Sequence, residues 1–261
     1  HKRLRRQRQM CIRDRLYTNK IVSMSEKEKV CIVTGVGPDK GTGAEIAKLF
    51  GKKKYKVAMI ARNKKNLNDL EKKYKNIFSY PCDVGDLEKF KKTLKKIKNN
   101  LGPADVVIHN APSASRGSIL KLNPDDLELN FRVNTTALLH LVRETLPSML
   151  SKKKGSILIT GNTAATRGKS HWGFFASTKA AQRILAESIA REFGPKGIHV
   201  AYFIIDAAID TPRTRPYMQP DKPDDYFSKP TAIAEEMYKT VLQDKSTWSF
   251  RVELRPFGET W

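Results

Sequence analysis

Short apolar runs alternate with longer amphipathic ones from Val30 onward, and this alternation constrains the fold more than any other feature. The apolar runs are nearly continuous, which is typical of strands buried on both faces of a parallel sheet. Strands are predicted at Val30–Thr34, Lys56–Ala61, Ile77–Pro81, Ala104–His109, Ser156–Thr160, Ile198–Ile205 and Trp248–Leu254. Helices are predicted at Ala44–Gly51, Lys64–Tyr74, Asp86–Asn99, Asp125–Leu150, Phe174–Phe193 and Thr231–Gln243.

Strands that alternate with helices predict an α/β fold in three layers, with about seven strands in a doubly wound parallel sheet and helices on both faces. No internal repeat or linker divides the chain, so residues 24–261 are expected to form a single domain. No run approaches the 18 apolar residues of a membrane-spanning helix, and we expect a cytoplasmic protein without a membrane partner. Three cysteines without CxxC spacing indicate neither a disulfide framework nor a metal site.

The first 23 residues differ in character from the remainder. They contain eight Lys or Arg and one Asp, with no helical periodicity. An Arg-rich, acid-poor segment is typical of a mitochondrial presequence. Alternatively, QRQMCIRDR resembles translated adapter sequence, with a natural start at Met24, and this interpretation is favoured. In either case we expect residues 1–23 to be a disordered basic tail outside the domain. Under the favoured interpretation, the tail is also not native to the protein.

A formal net charge of +22 suggests a nucleic-acid partner. The distribution of the lysines argues against it. In the predicted helix at 86–99, apolar residues recur every three or four positions, and lysines occupy the opposite face. No basic stripe interleaved with aromatic residues appears, and lysine outnumbers the arginine favoured for base and phosphate recognition. A solvated lysine surface is therefore the favoured interpretation, with no nucleic-acid partner.

A glycine-rich segment connects the first strand to the first helix. Glycines at such a turn allow the backbone to approach a pyrophosphate, which then lies at the helix N-terminus. The strict GxGxxG spacing is absent, so the pattern alone is also consistent with a tight turn. Its place after the first strand of a doubly wound sheet favours a dinucleotide site of the Rossmann type. The residues concerned are Gly35, Gly37, Gly41, Thr42 and Gly43.

Here the chain, from about Lys29 to Trp261, resembles the short-chain dehydrogenase/reductase family. The family's Thr-Gly-x-x-x-Gly-x-Gly loop corresponds to Thr34, Gly35, Gly41 and Gly43. Five residues separate Gly35 from Gly41, where the family usually has three. The simplest alignment makes Asp39-Lys40 an insertion at the tip of the loop, where Lys40 would be able to add a phosphate contact.

The resemblance also implies the cofactor, NADP(H). A carboxylate that binds the ribose 2′-hydroxyl would indicate NAD at the end of the second strand. This sequence has Ala61 there, followed by Arg62, which favours the 2′-phosphate of NADP, although a plain surface arginine is the alternative. The other cofactor contacts that the resemblance implies are Asp83, Val84, Asn110, Ala111, Lys179 and Thr211.

The catalytic residues of the family match only in part. The family uses a Tyr to exchange the proton, a Lys four residues later and a Ser thirteen residues before the Tyr. Lys179 is present, but Phe175 occupies the Tyr position and Asn162 the Ser position. Asn134 matches the active-site Asn. A missing general acid costs about 10²–10⁴ in rate; Lys179, directly or through a water, and loop residue His171 are the alternative proton donors.

Three functions are consistent with these observations. The favoured one is an NADP(H)-dependent oxidoreductase acting on a small carbonyl, alcohol or enoyl substrate. The second is a weakly active or inactive NADPH-binding protein that serves as a sensor or scaffold, and the third is a nucleic-acid binder. The resemblance also implies a homodimer or homotetramer formed through the helices at 125–150 and 174–193.

Overall fold

The structure is a computed structural model that describes residues 28–218 and 220–259. The prediction made for residues 1–23 lies outside the described residues. Among those that are described, no helix combines the length and apolar character needed to span a membrane.

Seven parallel strands form the main sheet, in the order β3-β2-β1-β4-β5-β6-β9. A doubly wound sheet reverses its strand order beside β1, and here β1 lies between β2 and β4. The strands are β1 Val30–Thr34, β2 Lys56–Ala61, β3 Ile77–Pro81, β4 Val106–His109, β5 Gly155–Gly161, β6 Ile198–Ile205 and β9 Arg251–Leu254. Two short strands, β7 Ala208–Ile209 and β8 Phe227–Ser228, pair with each other.

Helices cover both faces of this sheet. They are α1 Thr42–Lys52, α2 Lys64–Lys73, α3 Leu87–Leu101, α4 Pro124–Phe131, α5 Ala137–Ser151, α6 Gly173–Phe193, α7 Arg215–Met218 and α8 Pro230–Val241. Asn63, Asp86 and Asn123 cap α2, α3 and α4 through side-chain oxygens that accept backbone N–H groups, so polar side chains define these starts.

Two apolar clusters, one on each face of the sheet, give the molecule its three layers. Phe90 and Ile97 of α3 pack in the first cluster with Leu141 of α5. Phe50 of α1 and Met237 of α8 pack in the second. The lysines of α3 lie largely on its solvent side, because Phe90, Leu94 and Ile97 take the buried stripe. The α/β prediction with about seven strands is confirmed.

The structure differs from the predicted elements mainly at their ends. Strand β4 begins at Val106 instead of Ala104, and β9 begins at Arg251 instead of Trp248. The helix predicted at 125–150 is not one regular α-helix, because a π-helical turn at Arg132–Thr136 separates α4 from α5. A single widened turn of this kind often occurs at a functional site, and this one contains Asn134.

Candidate active site

The first part of the site lies where β1 and β4 end side by side. The Thr34 hydroxyl accepts the backbone N–H groups of Asn110 (3.1 Å) and Ala111 (3.3 Å). The Asn110 amide donates to the Gly35 carbonyl at 3.0 Å. Gly35 has a φ of +70°, and a Cβ there would lie 2.5 Å from the Ala111 Cα, so only glycine fits. The two loops are therefore fixed against each other at the edge where a dinucleotide binds in such sheets.

His109 is a structural part of this edge. Its Nδ1 lies 3.1 Å from the Thr34 hydroxyl, and its Nε2 lies 3.1 Å from the Val133 carbonyl. A carbonyl only accepts, so Nε2 carries the proton and Nδ1 accepts from Thr34. Burial, assisted by the charge of Lys179, lowers the pKa of His109 to about 3. This histidine is therefore neutral at physiological pH and joins β4 to the π-turn.

The tip of the glycine loop is tied to two helices. Gly41 N–H donates to the Pro38 carbonyl at 2.9 Å, so Asp39 and Lys40 form the centre of a tight turn. The Asp39 carboxylate pairs with Lys48 of α1 at 2.8 Å and with Lys73 of α2 at 2.7 Å. Partial burial opposes ionisation of Asp39, but the hydrogen bonds from Lys48 and Lys73 outweigh it and lower the pKa. Lys40 is exposed and adopts a φ of +67°.

The other predicted cofactor residues follow strands β2, β3 and β7. Arg62 follows β2 and is exposed, and it has no ion-pair or hydrogen-bond partner within the two described ranges. Asp83 follows β3 and accepts the Gly85 N–H at 2.9 Å, which leaves Val84 buried beside it. Thr211 follows β7, and its hydroxyl accepts the Thr214 N–H at 3.0 Å.

Lys179 is almost fully buried on α6, with 4% of its surface exposed. Its ammonium nitrogen donates to the Thr160 carbonyl at 2.8 Å and to Gln182 Oε1 at 2.5 Å. Burial lowers the pKa of Lys179 from 10.5 to about 7. An amine with this pKa changes protonation state near neutral pH, which a general acid or base requires.

Asn134 lies in the π-turn and is connected to α6. Its Oδ1 accepts the Ser113 N–H at 2.9 Å, and its amide nitrogen donates to the Ser113 carbonyl and to the Thr178 hydroxyl, each at 2.8 Å. Its backbone carbonyl accepts from Gln182. The Asn134 side chain therefore holds the loop after β4, and its main chain contacts the residues around Lys179.

Asn162 and Phe175 differ in what they offer a ligand. Asn162 follows β5, and its Oδ1 accepts the Ala164 N–H at 3.1 Å. Its amide nitrogen has no hydrogen-bond partner in the described part of the chain, and it remains a possible donor. Phe175 lies four residues before Lys179 on α6, is 8% exposed and contacts Trp172, with 5.9 Å between ring centroids. Residue 175 thus provides an apolar surface and no exchangeable proton.

Two residues of this site, Gln182 and Tyr202, were not predicted from the sequence. Both are buried, and Gln182 contacts Lys179 directly. A glutamine in the inward stripe of α6 and a tyrosine in a fully buried strand were the available signals. His171, considered as a proton donor, is exposed in the loop before α6, and its carbonyl accepts the Gly117 N–H.

Comparison with known proteins identifies the family of the chain. The sequence model of the short chain dehydrogenase family matches residues 29–221. An uncharacterized oxidoreductase of Staphylococcus aureus is 25% identical over 88% of this chain and 97% of its own length. The crystal structure of a short-chain dehydrogenase from Rhodopseudomonas palustris is similar, with 29% identity, a TM-score of 0.74 and coverage of 89% of this chain and 100% of that one. An alcohol dehydrogenase from Thermococcus sibiricus, complexed with 5-hydroxy-NADP, has 24% identity and a TM-score of 0.75, covering 89% and 98% of the two chains. The chain therefore belongs to the short chain dehydrogenase family.

Proposed function

We propose that this protein is an NADP(H)-dependent oxidoreductase that transfers hydride to or from a small carbonyl, alcohol or enoyl substrate, with Lys179 exchanging the proton. The buried Lys179 ammonium, with two fixed acceptors, is the observation that carries the proposal. Phe175 and Asn162 occupy the positions at which the family has its Tyr and Ser, so the chain represents an atypical branch of the family.

The residues at the strand ends are suited to NADP(H). The backbone at Gly37 faces open space, and no atom would lie within 4 Å of a Cβ there, so a phosphate can approach. Helix α1 begins at Thr42, and its N-terminus favours a negatively charged group beside it. Exposed Arg62 is suited to the 2′-phosphate. The solved relative from Thermococcus carries an NADP derivative, which supports the same class of cofactor. When bound, NADP(H) supplies or accepts the hydride.

Lys179 provides the proton in this proposal. A protonated lysine has three N–H groups, and Thr160 and Gln182 accept two of them. The third is available to the cofactor ribose, to a water or to the substrate. A pKa of about 7 allows Lys179 to donate the proton and to recover it from water near neutral pH. The Asn162 amide donates a hydrogen bond to the substrate oxygen and stabilises developing negative charge there.

The absence of the tyrosine bears on the type of substrate. Reduction of a ketone places the proton on the oxygen, where the family's tyrosine would act. Reduction of an activated alkene delivers hydride to the β-carbon and the proton to the α-carbon, so the acid acts at a different point. Phe175 leaves an apolar surface at the tyrosine position, which favours an enoyl substrate over a simple ketone.

A substrate screen tests this function directly. Purified protein with NADPH is offered ketones, aldehydes and enoyl thioesters, and alcohols are offered with NADP⁺, while absorbance at 340 nm is followed. We expect turnover with at least one class and a loss of about 10²-fold or more in Lys179→Met. Lys196→Met, an exposed lysine beyond α6, is the control and should retain full activity. No turnover above background with any class would refute the proposal.

A second function is favoured by the buried phenylalanine. Phe175 presents no proton donor. In this alternative, the chain binds NADPH as a sensor or scaffold and does not turn over a substrate. This alternative predicts tight NADPH binding by calorimetry together with an inactive screen. Measuring binding and turnover on the same preparation separates the two functions.

A further inference from the structure

We propose that Gln182, supported by Tyr202, is a positioning residue that fixes the Lys179 side chain so that one position on its nitrogen remains for a ligand. The inference rests on the proposed function, because it concerns how Lys179 takes part in proton exchange. It assigns a role to two buried residues that contact Lys179.

The contacts of Lys179 define its orientation. The nitrogen is tetrahedral, with three positions beyond its bond to carbon. Thr160 O, at 2.8 Å, and Gln182 Oε1, at 2.5 Å, occupy two of them. The same two contacts hold whether the lysine is charged or neutral, since each state has at least two N–H groups. Only the third position changes, from a donor to a lone pair, when the proton leaves.

The orientation of Gln182 is fixed in turn. Its amide nitrogen donates to the Asn134 carbonyl at 2.5 Å, while its oxygen accepts from Lys179. A rotated amide would place N–H groups against the ammonium and the amide oxygen against the carbonyl, and both pairs are unfavourable. Gln182 is completely buried, so water does not compensate for either loss. The widened helical turn at Asn134 thus determines where the Lys179 acceptor lies.

Tyr202 closes the network from β6. Its hydroxyl lies 3.3 Å from Gln182 Oε1 and 3.4 Å from the Lys179 carbonyl, and the ring is 1% exposed. A Cβ on Gly161 would overlap this ring, so the glycine at the end of β5 is required for Tyr202 to fit. Gly161 of β5, Tyr202 of β6 and Gln182 of α6 therefore pack together beside Lys179.

The titratable groups that face Lys179 are few. His109 on β4 interacts with it electrostatically and is neutral at physiological pH. Tyr202 on β6 has a raised pKa through burial, with Arg183 of α6 opposing the rise, and is neutral as well. Among the described residues no carboxylate contributes to the lowered pKa of Lys179, which comes from burial. The protonation of Lys179 should therefore respond strongly to a charge placed at residue 182.

Opposite shifts from two substitutions at residue 182 test the inference. The protein is labelled with ¹³C and ¹⁵N in lysine, and the Lys179 signal is identified by its absence in Lys179→Met. We expect Gln182→Glu to raise the Lys179 titration midpoint by one unit or more, because a carboxylate favours the ammonium. Gln182→Met should lower it by half a unit or more, because a buried ammonium loses an acceptor. Gln243 is hydrogen-bonded to Ser249 and does not contact Lys179, so Gln243→Met should leave the Lys179 titration midpoint unchanged.

The titration requires no substrate, so it separates this inference from the proposed reaction. Shifts in opposite directions with no turnover support the positioning role and refute only the function. Midpoints within 0.3 units of wild type, in folded variants, overturn the positioning role even if the enzyme is active. If both variants fail to fold, NMR of the Lys179 ammonium group in the wild-type protein tests the inference instead. Slow hydrogen exchange and restricted rotation at Lys179 support the inference, and exchange as fast as at exposed lysines overturns it.

Discussion

Phe175 changes the chemistry of this site more than any other single side chain. It lies one helical turn before Lys179 and is 8% exposed, with Trp172 against its ring. The apolar ring offers no hydrogen-bonding group on the face of α6 that it shares with Lys179, and it contributes no proton. In the proposed function, Lys179 and Asn162 are the polar groups that contact the substrate.

Restoring the hydroxyl at this position should reveal how complete the remaining site is. We expect Phe175→Tyr to increase ketone reduction at least about tenfold, since a positioned acid typically contributes about 10²–10⁴. Initial rates with NADPH and a series of ketones provide the measurement. Phe174→Tyr adds the same hydroxyl to the half-buried neighbour and should give no increase. Equal rates of ketone reduction in Phe175→Tyr and wild type would mean that the site lacks more than the general acid.

Arg62 is the residue expected to select the phosphorylated cofactor. A charge-assisted hydrogen bond contributes about 1.5–3 kcal/mol, so Arg62→Ala should weaken NADPH binding by about 10- to 100-fold and leave NADH binding nearly unchanged. Calorimetric Kd values for both cofactors test this. Lys64→Ala removes a nearby exposed charge at the start of α2 and serves as control. An equal loss for NADPH and NADH would contradict the 2′-phosphate contact.

Some residues of the site followed from sequence spacing and others did not. The four-residue interval from 175 to 179 corresponds to one helical turn, so the interval alone places both residues on one face of α6. Gln182 and Tyr202 meet only because β6 lies beside β5 and α6 crosses both. That proximity depends on sheet order and side-chain packing, which a local pattern does not contain.

At the scale of elements, the π-turn between α4 and α5 connects the two halves of the site. Its Val133 carbonyl accepts from His109 of β4, and its Asn134 carbonyl accepts from Gln182 of α6. The sequence predicted continuous helix here, because one widened turn barely disturbs the apolar period. By contrast, the bounds of β1, β2, β3 and β6 were predicted correctly. For β1 and β6 the reason is clear, because a lysine and a glycine border β1, and a glycine and an aspartate border β6.

The connection through His109 predicts how stability depends on pH. The folded-state pKa of about 3 lies below the unfolded value of about 6.5, so the unfolded chain binds the proton first. Stability is thus retained above pH 6.5 and decreases as the pH falls from 6.5 toward 3, by at most about 1.4 kcal/mol per unit.

Thermal unfolding between pH 7.5 and pH 4 measures this dependence. In His109→Gln we expect a lower Tm at pH 7.5 but a smaller decrease on acidification. His171→Gln, at an exposed loop position, should follow the wild-type curve. Parallel curves for wild type and His109→Gln would show that His109 does not contribute to acid sensitivity.

For the whole molecule, exposed apolar side chains occur on the helices expected to form a subunit contact. Leu129, Phe131, Leu139 and Ile184, on α4, α5 and α6, are 36–51% exposed. Much of the positive charge lies elsewhere, on the solvent side of helices such as α3. We therefore propose that two copies associate through α4 to α6, and that the lysine-rich faces are solvated instead of binding nucleic acid.

A charge placed on this face should prevent association. We expect wild type to elute at the mass of a dimer or tetramer, and Ile184→Lys to elute at a smaller mass, because a buried lysine without a partner is unfavourable. Light scattering after size exclusion gives both masses. Leu242→Lys, at a 60% exposed leucine beyond α8, should keep the wild-type mass. A monomeric wild type, or an unchanged mass in Ile184→Lys, would contradict the proposed contact.

The ion pairs of Asp39 should affect the rate at which a dinucleotide cofactor binds. Lys48 and Lys73 hold the Asp39-Lys40 turn against α1 and α2, so we expect the glycine loop to be ordered before a dinucleotide arrives. The conformational entropy of ordering this loop is lost during folding and not during binding. Association should therefore approach a single-step, diffusion-controlled encounter, whereas cutting the Asp39 contacts should introduce a slower conformational phase into rapid-mixing traces.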